Sequence, residues 1–207
     1  MSVGEGAQDA KQDLPEEDAG RANVYALIGR LLYDAPDSIL LAELCRADAG
    51  ATETEEPAGP WRTLQEACRT AYPVVVKQEY DTLFVGVGRS QVTPYTSHYI
   101  RSNSPDRHLV RLREQLDRWQ LARRSAASEV EDHVSGICDV MRLLIVESHD
   151  LNEQRLFFNE FVYPGVVAFC EAVSTAESAV FYKHVARFAR AFLEVEREAF
   201  EMQDSEA

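Results

Sequence analysis

The stretch NVYALIGRLLY (residues 23–33) decides the fold class, because its apolar residues follow the period of a helix. They fall at positions i, i+3, i+4, i+7 and i+8, namely Val24, Leu27, Ile28, Leu31 and Leu32. Residues at this spacing lie on one side of a helix with about 3.6 residues per turn. The stretch therefore predicts a first helix with one buried face.

The same period recurs along most of the chain. We predict further helices over residues 37–47, 61–72, 73–85, from Pro105, after Ser128, over 151–175 and over 177–200. Ser128 and Glu131 have the spacing of a capping box, and Pro164 lacks a backbone donor, so it is expected to kink or split its helix. No run alternates between apolar and polar residues as a half-buried strand does. The predicted fold is all-α, a single domain of roughly eight to ten helices.

Two polar stretches and one stretch of small residues precede or separate these helices. Residues 1–18 hold six acids and one lysine, which predicts a disordered acidic tail before a helical domain over 19–207. Residues 48–60 read as an exposed loop. Small residues near 125–132 suggest a hinge between two unequal lobes. A short hinge permits exchange of lobes between copies, so we expect a monomer that is able to form a swapped dimer.

The net charge of the chain indicates which classes of partner it attracts. The chain has 207 residues with 21 basic and 35 acidic side chains, a net charge of −14. An acidic surface repels nucleic acids and attracts basic partners, although solubility alone also explains such a charge. No uninterrupted apolar run approaches the roughly 18 residues of a membrane span, and the first residues lack the apolar core of an export signal. We expect a cytoplasmic protein without membrane insertion.

The sequence lacks the common motifs of enzyme active sites. It contains no nucleotide-binding loop, nucleophile elbow or paired histidine motif, so no cofactor is predicted. Its four cysteines are far apart and lack the spacing of a zinc site, so no metal is predicted either. One catalytic alternative stays open, in which Asp132 and His133 form the acid–base pair of a helical hydrolase or nucleotide-dependent enzyme. A regulatory module that docks a partner helix is a further alternative.

Two irregular stretches are the candidates for binding. Residues 86–103 form a long loop that contains Pro94, Tyr95 and Tyr99. Aromatic side chains among small polar residues suit contact with a peptide, although they also suit a loop that folds back over the core. The second stretch, SAASEVEDH (125–133), places acids at the start of a helix, where the helix dipole stabilises them. The dipole does not account for His133, so a carboxylate–histidine pair is a candidate ligand site.

Together these stretches resemble the TorD/DmsD family of cytoplasmic redox-enzyme maturation chaperones. The family pattern runs from an aromatic residue through Leu-Phe-x-Gly-x-Gly to Pro-(Tyr/Trp)-Glu-Ser, and the matching residues are Tyr80, Leu83, Phe84, Gly86, Gly88, Pro94, Tyr95 and Ser97. Thr96 replaces the glutamate. The second motif, Glu-Pro-x-Asp-His, is matched by Glu129, Asp132 and His133, with Val130 in place of proline. The late stretch over residues 157–173 is similar as well.

The resemblance implies a binding protein with no catalytic role. Members bind the twin-arginine leader and the apo-form of a molybdenum-containing oxidoreductase subunit, assist cofactor insertion and delay export. The implied leader-binding residues are Tyr80, Leu83, Phe84, Pro94, Tyr95, Ser97, Glu129, Asp132 and His133. Carboxylates suit the two guanidinium groups of such a leader, and apolar and aromatic walls suit the apolar segment that follows them.

Overall fold

The structure, a computed structural model, describes residues 14–47, 55–86, 90–100, 105–121 and 132–206. These residues form nine α-helices: α1 (Glu16–Tyr33), α2 (Ser38–Arg46), α3 (Glu55–Thr70), α4 (Pro73–Tyr80), α5 (Pro105–Arg118), α6 (Val134–Val146), α7 (Leu151–Phe157), α8 (Tyr163–Thr175) and α9 (Tyr182–Glu206). The structure is 79% helical, and the described ranges contain no strand. The prediction of a single all-α domain is confirmed.

Two π-helical turns prolong or join these helices. Asp81–Val85 continues α4, and Phe158–Val162 connects α7 to α8. The second turn precedes Pro164, which sits at the start of α8. Because proline has no backbone donor and its ring clashes with the preceding turn, the ladder of hydrogen bonds changes register there. The helix over 151–175 therefore changes its hydrogen-bond pattern just before Pro164 but continues without a break through it.

The core is built where α1 packs against α6 and where α9 packs against α3 and α8. Ile28, Leu31 and Leu32 are buried as the sequence predicts. Tyr25 is also fully buried, whereas Val24 and Leu27 are only partly covered. The buried face of α1 is thus wider than the predicted stripe, because the ring of Tyr25 also packs against Phe192 of α9, with 4.9 Å between centroids.

Two buried carboxylates join distant helices. Glu79 of α4 accepts hydrogen bonds from the backbone N–H groups of Val180, Phe181 and Tyr182 at distances of 2.8 to 2.9 Å. It thereby caps the first turn of α9 from another helix. Glu196 of α9 accepts two bonds from the guanidinium of Arg21 in α1, at 2.7 and 3.1 Å. These contacts fix the start and a position past the middle of α9 against the rest of the core.

Several predicted boundaries are wrong. The first helix begins at Glu16, inside the predicted tail. α3 begins at Glu55 instead of Trp61, with Pro60 inside it, because Ala58 lies on the same buried face as Trp61. α9 begins at Tyr182 instead of residue 177. Its start is set by Glu79, a partner that is remote in the sequence.

The predicted tail, loop and hinge fall largely on residues that the structure does not describe. Residues 1–13, 48–54 and 122–131 lie outside the described ranges. The capping box of Ser128 and Glu131 lies there too. The helix that it was expected to start begins at Val134 instead, so Asp132 and His133 precede the helix rather than lying in its first turn. The two-lobe arrangement stays a prediction.

Within the described residues, one continuous helical segment, formed by α7, the second π turn and α8, meets the length and composition of a membrane span. Leu151–Thr175 has a mean hydropathy of 1.3 over its most apolar 18 residues, and half of that window is buried inside the protein. Core helices of globular proteins pass the same test, and this helix contacts α6 and α9. Acidic residues such as Glu160 lie between its apolar residues, so this segment contains no long uninterrupted apolar run.

Candidate functional site

The two irregular stretches that the sequence singles out lie against each other. Tyr95 and His133 form an isolated antiparallel β-bridge. The backbone N–H of Thr96 donates to the carbonyl of Asp132, and that of Val134 donates to the carbonyl of Pro94, each at 2.9 Å. We call residues 90–100 the strap. The strap is held at its centre to the residues that immediately precede α6.

Asp132 lies beneath the strap. Its side chain is only 2% exposed, and its Oδ2 accepts a hydrogen bond from the backbone N–H of Ser97 at 3.1 Å. The hydroxyl of Thr96 donates to the carbonyl of the same aspartate at 3.2 Å. The strap therefore supplies one hydrogen-bond donor to this buried carboxyl group, the N–H of Ser97, and another to the backbone carbonyl of the same residue.

His133 caps α6. Its Nδ1 accepts a hydrogen bond from the backbone N–H of Ser135 at 3.2 Å and lies 2.7 Å from the hydroxyl of the same residue. A ring nitrogen that accepts an N–H bond carries no proton itself, so this contact favours the neutral ring with its proton on Nε2. A neutral cap is compatible with the positive end of the helix dipole, which a cation would oppose. The ring also meets that of Tyr95 edge-on, at 5.6 Å between centroids.

Sequence reasoning missed His108 of α5. This side chain is 6% exposed, packs against the ring of Phe161 at 5.2 Å, and its Nε2 has no hydrogen-bond partner among the described residues. Burial lowers its pKa; the nearby Asp132 opposes this by raising the pKa, and Arg111 lowers it further. The sequence does contain a signal for the burial of His108, because residue 108 lies one helical turn before Leu112 on the predicted apolar stripe.

Tyr80, Leu83 and Phe84 belong to the core in this conformation. Leu83 is fully buried, and the hydroxyl of Tyr80 donates to the carbonyl of Tyr33 at 2.6 Å. The ring of Phe84 meets that of Tyr182 edge-on at 5.1 Å. Leu83 also holds the strap directly, because its backbone carbonyl accepts the N–H of Val92 at 2.9 Å.

The remaining predicted residues divide between the strap and the undescribed segment. Pro94, Tyr95 and Ser97 are half-buried on the strap and are brought together with Asp132 and His133. Glu129 lies outside the described residues, as does Gly88. Gly86 ends the π turn with a φ of 63°, a conformation that glycine adopts without the strain that a side chain would add.

Thr96, which stands where the family pattern has glutamate, is packed tightly. It is fully buried against Gly165 of α8, and a Cβ built on that glycine would lie 2.5 Å from the Cβ of Thr96. The close approach requires glycine on one side and a short side chain on the other. The strap is thus fixed to α8 on one side and to Asp132 on the other.

The polar side chains of Asp132 and His133 are both engaged within the protein. The ring nitrogen Nδ1 of His133 is engaged by Ser135, and the carboxylate of Asp132 by Ser97. Among the residues that the structure describes, no group of three or more His, Cys, Asp or Glu side chains is arranged to hold a metal ion.

Comparisons with known proteins place the chain in a family. The profile of the family described as nitrate reductase delta subunit matches residues 51–194. A solved structure from Archaeoglobus fulgidus, described provisionally as a redox enzyme maturation protein, aligns with a TM-score of 0.53 and 22% identity over 84% of this chain and 93% of that one. At this identity the match shows the shared fold. A comparison with curated proteins found no match. Because the profile covers most of the described core, the chain belongs to the nitrate reductase delta subunit family, and its resemblance to the TorD/DmsD type of redox-enzyme maturation chaperone is confirmed.

Proposed function

We propose that this maturation chaperone binds the twin-arginine leader of a molybdenum-containing oxidoreductase subunit in the cytoplasm, and that Asp132 receives one of the leader's arginines. The observation that carries the proposal is the position of Asp132, a buried carboxylate where the two motif stretches meet. A carboxylate in a desolvated site forms strong charge-assisted bonds with a guanidinium group. Tyr95 and Pro94 stand beside it to contact the apolar residues of the leader.

The closed strap sets a condition on this binding. At 2% exposure Asp132 cannot meet an arginine while Ser97 and Thr96 cover it. Leader binding then requires the strap to lift away from residues 132–134. Lifting breaks four hydrogen bonds between the strap and residues 132–134, each worth about 0.5–1.5 kcal/mol net, and it also separates the buried Thr96 from Gly165. The arginine replaces the N–H of Ser97 as the partner of the carboxylate.

A disulfide lock tests the proposal directly. The bonds between Thr96 and Asp132 and between Val134 and Pro94 make Tyr95 and His133 a non-hydrogen-bonded antiparallel pair. Their Cα atoms are therefore about 4.5 Å apart, within the range of about 4.4–6.8 Å that disulfides span. The double variant Tyr95→Cys/His133→Cys is expected to form a disulfide that keeps the strap closed. Its reduced form differs only in the absence of that bond.

The measurement is isothermal titration with a synthetic peptide that carries two adjacent arginines followed by an apolar segment. We expect the oxidised variant to bind at least about tenfold more weakly than its reduced form, a difference of about 1.4 kcal/mol. Asp132→Asn is expected to lose about 2–5 kcal/mol of binding in the unlocked protein. Equal affinity of the oxidised and reduced forms contradicts the need for opening. Unchanged affinity in Asp132→Asn removes this carboxylate from the proposed site.

A further inference from the structure

Exposed apolar side chains are concentrated at the corner where α3 turns into α4. Tyr72 is 75% exposed, and Val74 and Val75 are 70% and 57% exposed. Ile39, at the start of α2, is 66% exposed. Single exposed apolar residues are ordinary, but three large ones within four residues of one corner are a feature that interaction surfaces show.

A groove of about 390 Å³ separates this corner from α2. Ser38, beside Ile39, lines one wall, and Ala71 and Pro73, on either side of Tyr72, line the other. Tyr72 and Ile39 are thus direct sequence neighbours of lining residues, and Val74 follows Pro73. Among the residues that the structure describes, the lining of the groove is Ser38, Leu41, Ala42, Cys45, Arg46, Cys68, Arg69, Ala71 and Pro73. The floor is apolar, and its walls are two helices of the core.

The charge of the groove differs from that of the whole protein. Acidic residues outnumber basic ones by 35 to 21 in the chain, yet the described part of the lining holds two arginines and no carboxylate. Arg69 forms an exposed ion pair with Glu66 at 2.8 Å. Arg46 has no hydrogen-bond or ion-pair partner among the described residues. A guanidinium in this setting favours an occupant that supplies a carboxylate.

We propose that this groove, between α2 and the α3–α4 corner, binds an amphipathic segment of a partner protein that combines apolar residues with acidic ones. The apolar face fits the floor and the side chains of Tyr72 and Val74, and an acidic residue reaches Arg46. A basic leader is repelled by the same arginines, so the groove and the strap site select opposite charges. A second copy of this chain is a poor occupant, because two proteins of charge −14 repel each other.

Cys45 reports on occupation of the groove in the unmodified protein. All four cysteines are free, and Cys45 is the one that is partly exposed. Cys68 also lines the groove, but burial raises the pKa of its thiol to about 12, which keeps it unreactive toward alkylating agents near neutral pH. Alkylation of Cys45 by iodoacetamide, followed by intact-mass spectrometry, therefore measures whether the groove is open.

The probes are two synthetic helical peptides of about 18 residues with leucines on one face and either glutamates or lysines on the other. At ten times its Kd the glutamate peptide is expected to slow alkylation of Cys45 about tenfold, because only the free protein reacts. The lysine peptide is expected to give little protection. Equal protection by both peptides, or protection by neither, overturns the proposal.

Three variants locate the binding. Arg46→Glu is expected to weaken the glutamate peptide about tenfold and to improve the lysine peptide, since the sign of the charge is reversed. Tyr72→Ser is expected to weaken the glutamate peptide by about tenfold through loss of an aromatic anchor. Leu156→Ser, which removes another exposed apolar side chain, 57% exposed and outside the groove, is the matched control and leaves both affinities unchanged. A loss in Leu156→Ser equal to that in Tyr72→Ser contradicts the assignment.

The acidic residues 48–54 of the chain itself are the competing occupant, because they follow α2 directly. The double variant Asp48→Asn/Glu53→Gln decides between them. If it speeds alkylation of Cys45 in the absence of peptide, the groove belongs to the chain's own segment and the proposal is wrong. An unchanged rate supports a partner in trans. Neither result depends on the twin-arginine peptide, so failure here is distinguishable from failure at the strap.

Discussion

Thr96 of the strap and Gly165 of α8 approach so closely that a single added carbon atom does not fit between them. A Cβ on Gly165 would lie 2.5 Å from the Cβ and 3.0 Å from the Cγ2 of Thr96. Thr96 also donates two hydrogen bonds to the carbonyl of Asp132. The contact therefore links the packing of a core helix to the cover of the candidate binding site.

Gly165→Ala is expected to destabilise the protein, although alanine is the better helix former. The clash outweighs the gain of about 1 kcal/mol in helix propensity, because overpacking costs about 1–3 kcal/mol. Gly59→Ala in α3 is the matched control. A Cβ there meets nothing within 4 Å, so that variant is expected to gain about 0.5–1 kcal/mol.

Urea unfolding of both variants measures the difference. Gly165→Ala is also expected to speed hydrogen exchange at the N–H of Thr96, because the displaced strap loses its bond to Asp132. Equal stabilisation by the two alanines contradicts the tight packing of the strap on α8.

Removal of the Glu79 carboxylate is expected to loosen the start of α9. Three backbone N–H groups depend on it, and each buried donor left without a partner costs about 1–3 kcal/mol. Glu79→Ala is expected to lower the melting temperature by more than about 6 °C, since 1 kcal/mol shifts a domain of this size by about 2–4 °C. Gln78→Ala, at the exposed neighbouring position, controls for helix propensity. Similar melting temperatures for the two variants rule out the capping role.

The pair of Arg21 and Glu196 is expected to behave as a buried ion pair. Arg21→Met leaves Glu196, which is 4% exposed, without its main partner and is expected to cost about 3–5 kcal/mol. The double variant Arg21→Met/Glu196→Gln is expected to recover part of that loss, because no unpaired charge remains buried. Chemical denaturation of the two single variants and the double variant completes the cycle. Additive losses are inconsistent with a coupled pair.

The sequence predicts the fold class well, because helical periodicity is a local property. The faces of α1 and α6 and the change of hydrogen-bond pattern before Pro164 follow from nearby residues. The boundaries are predicted less well where remote residues set them. α9 begins where Glu79 of α4 caps it, and no residue near 180 in the sequence signals this.

The candidate site is also predicted where it depends on local motifs and not where it depends on remote contacts. The sequence points to the strap and to Asp132 and His133, and the structure brings these together. The packing of the strap is not predictable from the motifs, since Thr96 packs against Gly165 of α8 and the turn over Thr96–His98 contacts α5. Likewise, Tyr80, Leu83 and Phe84 match the family pattern but pack in the core, which a pattern alone does not distinguish from a binding surface.

The final prediction concerns His108 and pH. Burial lowers the pKa of His108 below its usual value near 6.5, so the unfolded chain takes up a proton at a higher pH than the folded protein does. This group therefore contributes full stability above about pH 6.5, and the contribution is lost as the pH falls toward the folded-state pKa. The free energy of unfolding is expected to fall between pH 7 and pH 5 by up to about 1.4 kcal/mol per pH unit for this proton.

His108→Gln is expected to flatten this dependence, because glutamine does not titrate. His184, whose pKa burial also lowers, supplies a second and independent part of the slope, so His184→Gln is the matched comparison. Only His108→Gln is expected to alter the environment of Asp132. This aspartate contributes to the pKa of His108 but is not among the groups that shift the pKa of His184. Urea titrations at pH 7, 6 and 5 for the wild type and both variants make the measurement. A slope that persists in full in His108→Gln means that this histidine is not the buried neutral group that the structure describes.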